Sequence, residues 1–210
     1  MPVRHKGPLF LTFEGIDGCG KTTQAILTYK LLKAHGYEVK LLREPGSTKA
    51  AERIRRILLD KKLDIDATTE LLLYEAARAN ITVTEIAPFM SEGHVVICDR
   101  FYDSTTAYQG YGRKLDIRTV RSLHKVAVGK LTPDLTLLFD LDVATARSRQ
   151  GDNLDRLESE PQVFFERVRK GFLEIARKER SRVKVIDAAR PIEAVFAEVT
   201  DILAKRYGIK

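Results

Sequence analysis

Five short, largely apolar runs punctuate the chain: Leu9–Phe13, Glu38–Leu42, Val95–Cys98, Leu135–Phe139 and Val183–Ile186. Each is too short for a stable helix and is bounded by Gly, Pro, Asp or Arg, which predicts buried strands. Between them the apolar spacing changes to the helical period. Ile26, Leu27, Leu31 and Leu32 mark one side of a helix from Thr23 to about His35, closed by Gly36. Ile54, Ile57 and Leu58 give Lys49–Leu59 an inward face. A longer helical pattern runs from Asp66 towards Met90. Pro88 should bend or restart it, because a residue without N–H interrupts the ladder. Asp116 is placed to cap a helix through Val128, and Asp142 one through Arg149. Pro161 and Pro191 open the last two helices. Phe165, Val168, Phe172, Ile175 and Ala176 line the first of these; Val195, Val199, Ile202 and Leu203 line the second. Strands alternating with helices predict an α/β fold, a five-stranded parallel sheet flanked by helices on both faces.

Such sheets bind ligands beyond the carboxyl ends of their strands. Those ends carry Glu14, Arg43-Glu44-Pro45-Gly46, Asp99-Arg100 and Asp140. The first strand runs directly into Gly15-Ile16-Asp17-Gly18-Cys19-Gly20-Lys21-Thr22, which spells G-x-x-x-x-G-K-T between a strand and a helix. Glycines there let backbone N–H groups curl around phosphate oxygens. The opening helix adds unpaired N–H groups and a favourable dipole. Residues 15–22 and Thr23 are therefore expected to hold a nucleoside triphosphate, with Lys21 on the β/γ-phosphates and the Thr22 hydroxyl on Mg²⁺. Val95–Asp99 is an apolar strand ending in a carboxylate, placed to orient the same cation through its water shell. Arg100 follows at once and can reach a phosphate.

Composition narrows the classes. The 210 residues suffice for one domain with a small lid, and 44% hydrophobic content supports a real core. The net charge of +7 is spread among acids, with no basic tail, RNA-binding signature or aromatic ladder. A site for phosphate-bearing ligands explains it better than nucleic acid does. Met1–Gly7 is short and polar, and no run approaches the ~20 apolar residues that cross a bilayer. Cys19 and Cys98 lack metal-ligand spacing and read as free thiols, as in a reducing cytoplasm. The four histidines fall outside every motif and read as surface or packing residues.

Beyond these general signals, Asp99-Arg100-Phe101-Tyr102-Asp103-Ser104-Thr105-Thr106-Ala107-Tyr108-Gln109-Gly110 resembles the D-R-x-x-x-S-x-x-A-Y-Q-G segment of thymidylate kinases. Arg43–Gly46 is similar to that family's R-E-P-G loop, Leu73–Arg78 to its L-F-x-A-x-R helix, and Leu154–Glu158 to its D-R-x-E lid segment. The resemblance runs in order along nearly the whole chain. It implies the P-loop NTPase fold over residues 1–210, a lid at about 147–158, and transfer of the γ-phosphoryl group of ATP-Mg²⁺ to dTMP in dTTP biosynthesis. It also implies a homodimer joined through the helix after Asp66.

The resemblance carries roles with it. Arg43 and Arg100 would hold the monophosphate, although a pair between Arg43 and Glu44 or Glu52 is an alternative use. Asp17 would contact the acceptor's sugar and orient its phosphate. Tyr74 would stack on thymine, where most relatives carry Phe, and Arg78 would bond its O4. Thr105 and Gln109 would meet the base edge, Ser104 would shape the pocket, and Tyr108 would lie against the sugar. Ala189 and Arg190, after the last strand, would line the adenine. The phosphate loop has no Arg among its variable positions, so the chain resembles the subgroup that keeps a catalytic Arg in the lid. Lid closure would then deliver Arg149 or Arg156 to the transferred group, with Arg147 flanking the adenine. The nearest competing reading is a kinase of UMP, CMP or dUMP. A P-loop switch or DNA-associated ATPase is the competitor from another class.

Overall fold

The computed structural model describes residues 7–151 and 154–209. Asp152 and Asn153, in the middle of the expected lid stretch, lie outside the described residues. Five strands, β1 (Leu9–Glu14), β2 (Val39–Arg43), β3 (Val95–Asp99), β4 (Leu135–Asp140) and β5 (Val183–Asp187), form one parallel sheet in the order β2-β3-β1-β4-β5. β1 is buried along its whole length. Its Leu9, Leu11 and Phe13 point into one apolar cluster and Phe10 into the other, as the two-residue period requires when both faces are covered. Phe13 stacks on Phe139 of β4 at 5.7 Å.

The helices are α1 (Lys21–Ala34), α2 (Lys49–Leu59), α3 (Ala67–Ile81), α4 (Ala87–Ser91), α5 (Tyr102–Thr105), α6 (Ile117–Val128), α7 (Val143–Ser148), α8 (Gln162–Lys178) and α9 (Ile192–Tyr207). The expected caps form: Asp66 accepts from Thr68 and Thr69, Asp116 from Thr119, and Asp142 from Thr145. The helix expected from Asp66 to Met90 is interrupted. Wider π-helical turns at Thr82–Ile86 separate α3 from α4, and Pro88 falls in the first turn of α4. There its missing N–H costs nothing, since a first turn has no intrahelical partner for it.

One element escaped the sequence pattern. α5 runs on through π-helical turns at Thr106–Gly112, so Tyr102–Gly112 is one helical ramp lying against α8. Its polar, Gly-bearing sequence shows no apolar stripe because it is buried almost throughout. Of the apolar residues expected to form a dimer face on α3 and beyond, Leu71, Ile81 and Ile86 are buried within the chain, whereas Leu72 and Val83 are exposed.

Candidate active site

All five strands point their carboxyl ends the same way, so the turns after β1, β2 and β3 share one edge of the sheet. After β1 the chain bends through Gly15–Gly20 and enters α1 at Lys21. Gly15, at φ 143°, lies so close to β4 that a Cβ would stand 2.6 Å from the Phe139 carbonyl. Gly20, at φ 87°, precedes α1 with no capping side chain, and the space where its Cβ would point is open. The first N–H groups of α1 thus face a clear concavity suited to an anion. Lys21 is buried, with Nζ 3.3 Å from Asp17 Oδ1.

Thr22 Oγ1 donates to Asp99 Oδ2 at 2.5 Å, and the other Asp99 oxygen is buried without a partner among the described residues. A hydroxyl beside a carboxylate with a spare oxygen fits a magnesium ion that keeps most of its waters. No cluster of three or more His, Cys, Asp or Glu forms among the described residues. The rest of a cation's shell here would have to come from water and phosphate.

A second cavity, of about 520 Å³ including its open mouth, adjoins this loop. Arg100 forms the shared wall. It adopts φ 71°, a left-handed conformation that a non-glycine residue seldom takes. Glu14, at the end of β1, fastens the turn: it accepts from Phe101 N at 2.7 Å and from Ser104 Oγ at 2.5 Å. The guanidinium then donates to the Gly15 carbonyl at 3.0 Å, to Ser104 Oγ at 3.0 Å and to Asp17 Oδ1 at 2.5 Å. Tyr108 OH donates to the second Asp17 oxygen at 3.0 Å. Burial pushes the Asp17 carboxyl up, but Arg100, then Lys21 and the Tyr108 hydroxyl, outweigh it and hold it well below the usual carboxylate range. Asp17 is an anion at any working pH.

Asp17, Tyr74, Arg78, Arg100, Ser104, Thr105, Tyr108 and Gln109 all line this cavity. Arg78 is the largest fully buried side chain among the described residues. Its Nε donates to Glu44 at 2.8 Å, Nη1 to Glu75 at 2.6 Å, and Nη2 to Thr105 Oγ1 at 2.9 Å. Nη2 also donates to the Phe101 carbonyl at 3.3 Å, which leaves one Nη1 hydrogen without a partner among the described residues. Glu75 is itself held from behind by His124 at 2.9 Å.

Arg43 is not in the cavity. Its side chain is 53% exposed and pairs with Glu52 at 3.0 Å, the alternative use open from the sequence. Arg55 of α2 occupies the cavity wall instead, donating to the Pro45 carbonyl at 3.1 Å. A signal for it existed: positions 51, 55 and 58 lie along one helical stripe, and Ala51 and Leu58 are its buried members. A charged residue on that stripe had to face something polar inside. Glu70 and Glu75 also escaped notice, since their positions read as ordinary solvated acids; Glu44 was expected on this edge, but its partner is Arg78 rather than Arg43.

The lid arginines depart from expectation in a connected way. Arg149, expected at the transferred phosphoryl group, lies in a groove of about 950 Å³ beside Gly18, Gly20, Thr23, Ala189 and Arg190, and donates to the Ala188 carbonyl at 3.3 Å. Arg147, expected beside the adenine, is turned under the lid, over the Phe165 ring at 5.0 Å and bonded to the Glu160 carbonyl. The two side chains point to different sides because residues 147 and 149 lie about 200° apart around a helical turn. Arg156 is held away from the phosphate loop, with Nε on the Leu58 carbonyl at 2.8 Å and Nη2 on Glu70 at 2.6 Å. Its neighbours Asp155, Leu157 and Glu158 line the second cavity, while Arg156 itself is tied to α2 and α3.

Against known proteins, the thymidylate kinase family profile matches residues 13–199. The chain belongs to the thymidylate kinase family. It is 47% identical over 206 residues to a thymidylate kinase of Geobacter sulfurreducens, covering 94% of this chain and 97% of that one. It is 42% identical over 210 residues to one from Chlorobium luteolum, covering 95% and 98%. A crystal structure of thymidylate kinase from Ehrlichia chaffeensis superposes with a TM-score of 0.78 at 38% identity, covering 94% of this chain and 98% of that one. The sheet order and phosphate loop are thus the P-loop NTPase fold of a phosphotransferase family. Within that family the shared Asp17–Arg100 wall acquires meaning, as the place where two nucleotides would meet.

Proposed function

We propose that this chain transfers the γ-phosphoryl group of ATP to dTMP, giving dTDP and ADP. The observation that carries the reading is the junction of the two cavities: one guanidinium, Arg100, lines the acceptor cavity and bonds the phosphate loop at Gly15 and at Asp17, which lines that cavity too. The triphosphate would lie against Gly15–Thr23, its adenine in the groove lined by Arg149, Ala189 and Arg190. Mg²⁺, held by Thr22 and through water by Asp99, would supply charge neutralisation on the β/γ oxygens.

The acceptor would enter from the opposite side. Arg100 and Arg55, both lining the cavity, would hold its phosphate, since guanidinium groups grip phosphate with paired bonds. Tyr74 would stack on the base, and the spare Arg78 hydrogen would meet a base carbonyl. Asp17 remains charged and would orient the sugar while holding Arg100 and Lys21 in line. Catalysis here is positioning and charge stabilisation, since little covalent chemistry falls to the protein. Tyr108, pinned through its hydroxyl to Asp17, would exclude a 2′-hydroxyl. Efficiency on ribo-TMP that is the same for Tyr108→Ala and the parent would reject that role.

We further read residues 1–210 as one domain with a lid, acting in the cytoplasm as a homodimer. Two buried free thiols support the compartment, and exposed Leu72 and Val83 on the α3 side support the association. No described helix is long and apolar enough to cross a membrane. The deciding experiment is a coupled assay for ADP release with dTMP, dUMP, dCMP, UMP and CMP in turn. Turnover with dTMP foremost is expected; no diphosphate from dTMP would end the reading.

A further inference from the structure

Glu70 lies in the first turn of α3 and is fully buried. A carboxylate so placed must be fully paired to be tolerated. Its Oε1 accepts from Gln109 Nε2 at 2.8 Å and Arg113 Nε at 3.1 Å. Its Oε2 accepts from Arg113 Nη2 at 3.0 Å and Arg156 Nη2 at 2.6 Å. Burial pushes this carboxyl up, but the bonds from Arg113 and Gln109 outweigh it and keep it ionised. An ionised carboxylate only accepts. It therefore tolerates the nitrogen of the Gln109 amide and repels the oxygen, so the amide cannot flip.

The consequence falls in the acceptor cavity, which Gln109 lines. Gln109 Oε1 accepts no hydrogen bond among the described residues. We propose that Glu70 is a positioning residue that sets base choice, by tying down the Gln109 amide nitrogen so that the amide oxygen is the end left free for the cavity. The inference rests on the reading of this cavity as the dTMP site. Thymine and uracil present N3–H, a donor; cytosine presents a bare N3 lone pair. A fixed acceptor pairs with the first two and repels the third. A site built to bond one such edge rejects an analogue that cannot supply the complementary group. Oε2 of the same carboxylate holds Arg156, so the group that orients Gln109 also latches the lid over the cavity.

The test is kcat/KM for dTMP, dUMP and dCMP with ATP and Mg²⁺, for the parent, Glu70→Gln and Glu70→Asp. A glutamine at 70 can donate as well as accept, so it releases the Gln109 amide. Aspartate keeps the charge for Arg113 and Arg156 but falls one methylene short of Gln109. In both, the preference for dTMP over dCMP is expected to fall about tenfold, the worth of one hydrogen bond, while the preference for dTMP over dUMP stays unchanged. A merely structural Glu70 would lower all three substrates together and leave both ratios intact, which overturns the proposal. Should neither variant fold, the parent decides: dCMP used within tenfold of dTMP also overturns it. A parent inactive on dTMP would instead strike the functional reading on which this inference rests.

Discussion

Arg78→Met asks whether the floor of the acceptor cavity is an electrostatic unit. In the parent, Arg78 supplies the bonds to Glu44 and Thr105 and one of two to Glu75. All three partners are buried, and the second oxygens of Glu44 and Glu75 already lack partners among the described residues. Methionine fills similar volume and leaves two buried carboxylates facing each other without a cation. Removing one member of such a buried set costs about 3–5 kcal/mol, which for a chain of this size lowers Tm by about 6–20 °C.

The pH dependence makes the test sharper. Burial pushes the Glu44 carboxyl up to about 7 from its ordinary 4.5, with Arg78 opposing the rise. A group raised in this way contributes stability that is full below 4.5 and is lost as pH rises through the folded value. Without Arg78 the folded value climbs further, so the loss extends to higher pH. Thermal unfolding of parent and variant at pH 5 and pH 8 should therefore show a gap that widens with pH. Adding Glu44→Gln to the variant should narrow it at pH 8. A gap below about 3 °C, or one equal at the two pH values, would refute the reasoning.

Three further outcomes follow from the same geometry. Lys21→Ala should lower kcat by about 10²–10³ with a far smaller change in KM for dTMP, since its ammonium faces the phosphate loop; steady-state kinetics with both substrates varied would check it, and an unaltered kcat would contradict it. Glu14, raised to about 8 by burial and then by Asp103, should contribute stability that is full below 4.5 and is lost as pH rises through about 8; Glu14→Gln should flatten the unfolding midpoint between pH 5 and 9, and a parental slope in the variant would count against the assignment. Arg156→Ala, by cutting the bonds to Glu70 and the Leu58 carbonyl, should loosen the lid and depress kcat more than dTMP affinity in titration calorimetry; unchanged turnover would remove Arg156 from the mechanism.

The sheet was legible because its signals are local. Short apolar runs ending in Glu14, Arg43, Asp99 and Asp140 named both the strands and the edge where ligands bind, and the observed strands extend one residue past the apolar runs to include those polar ends. The phosphate loop was legible for the same reason, since eight adjacent residues build it. The Tyr102–Gly112 ramp was not. An element buried on all sides carries no stripe, and its helical state comes from packing on α8 rather than from its own propensity. Arg43 misled because position in a loop does not say which way a side chain turns; Glu52, nine residues on, captures it.

The acids behind the cavity mark a deeper boundary of sequence reading. Glu14, Glu44, Glu70 and Glu75 are each no more than 5% exposed, a burial that a hydropathy pattern does not assign to acids. Each is tolerated inside because donors arrive from elsewhere in the chain: Phe101 and Ser104 for Glu14, Arg78 for Glu44, Arg113 and Arg156 for Glu70, and His124 for Glu75, which also meets Arg78 three residues on in the same helix. Apart from Glu75–Arg78, those pairings span 34 to 90 residues, so no short window along the sequence contains both halves. Their effect is nevertheless on the ligand's side. Each carboxylate fixes a group that faces the cavity, Glu14 the turn bearing Arg100, Glu44 and Glu75 the Arg78 fork, Glu70 the Gln109 amide. A buried carboxyl group therefore stands behind each of these three donors or acceptors offered to the acceptor nucleotide, and the geometry of recognition is set one layer beneath the surface that does the recognising.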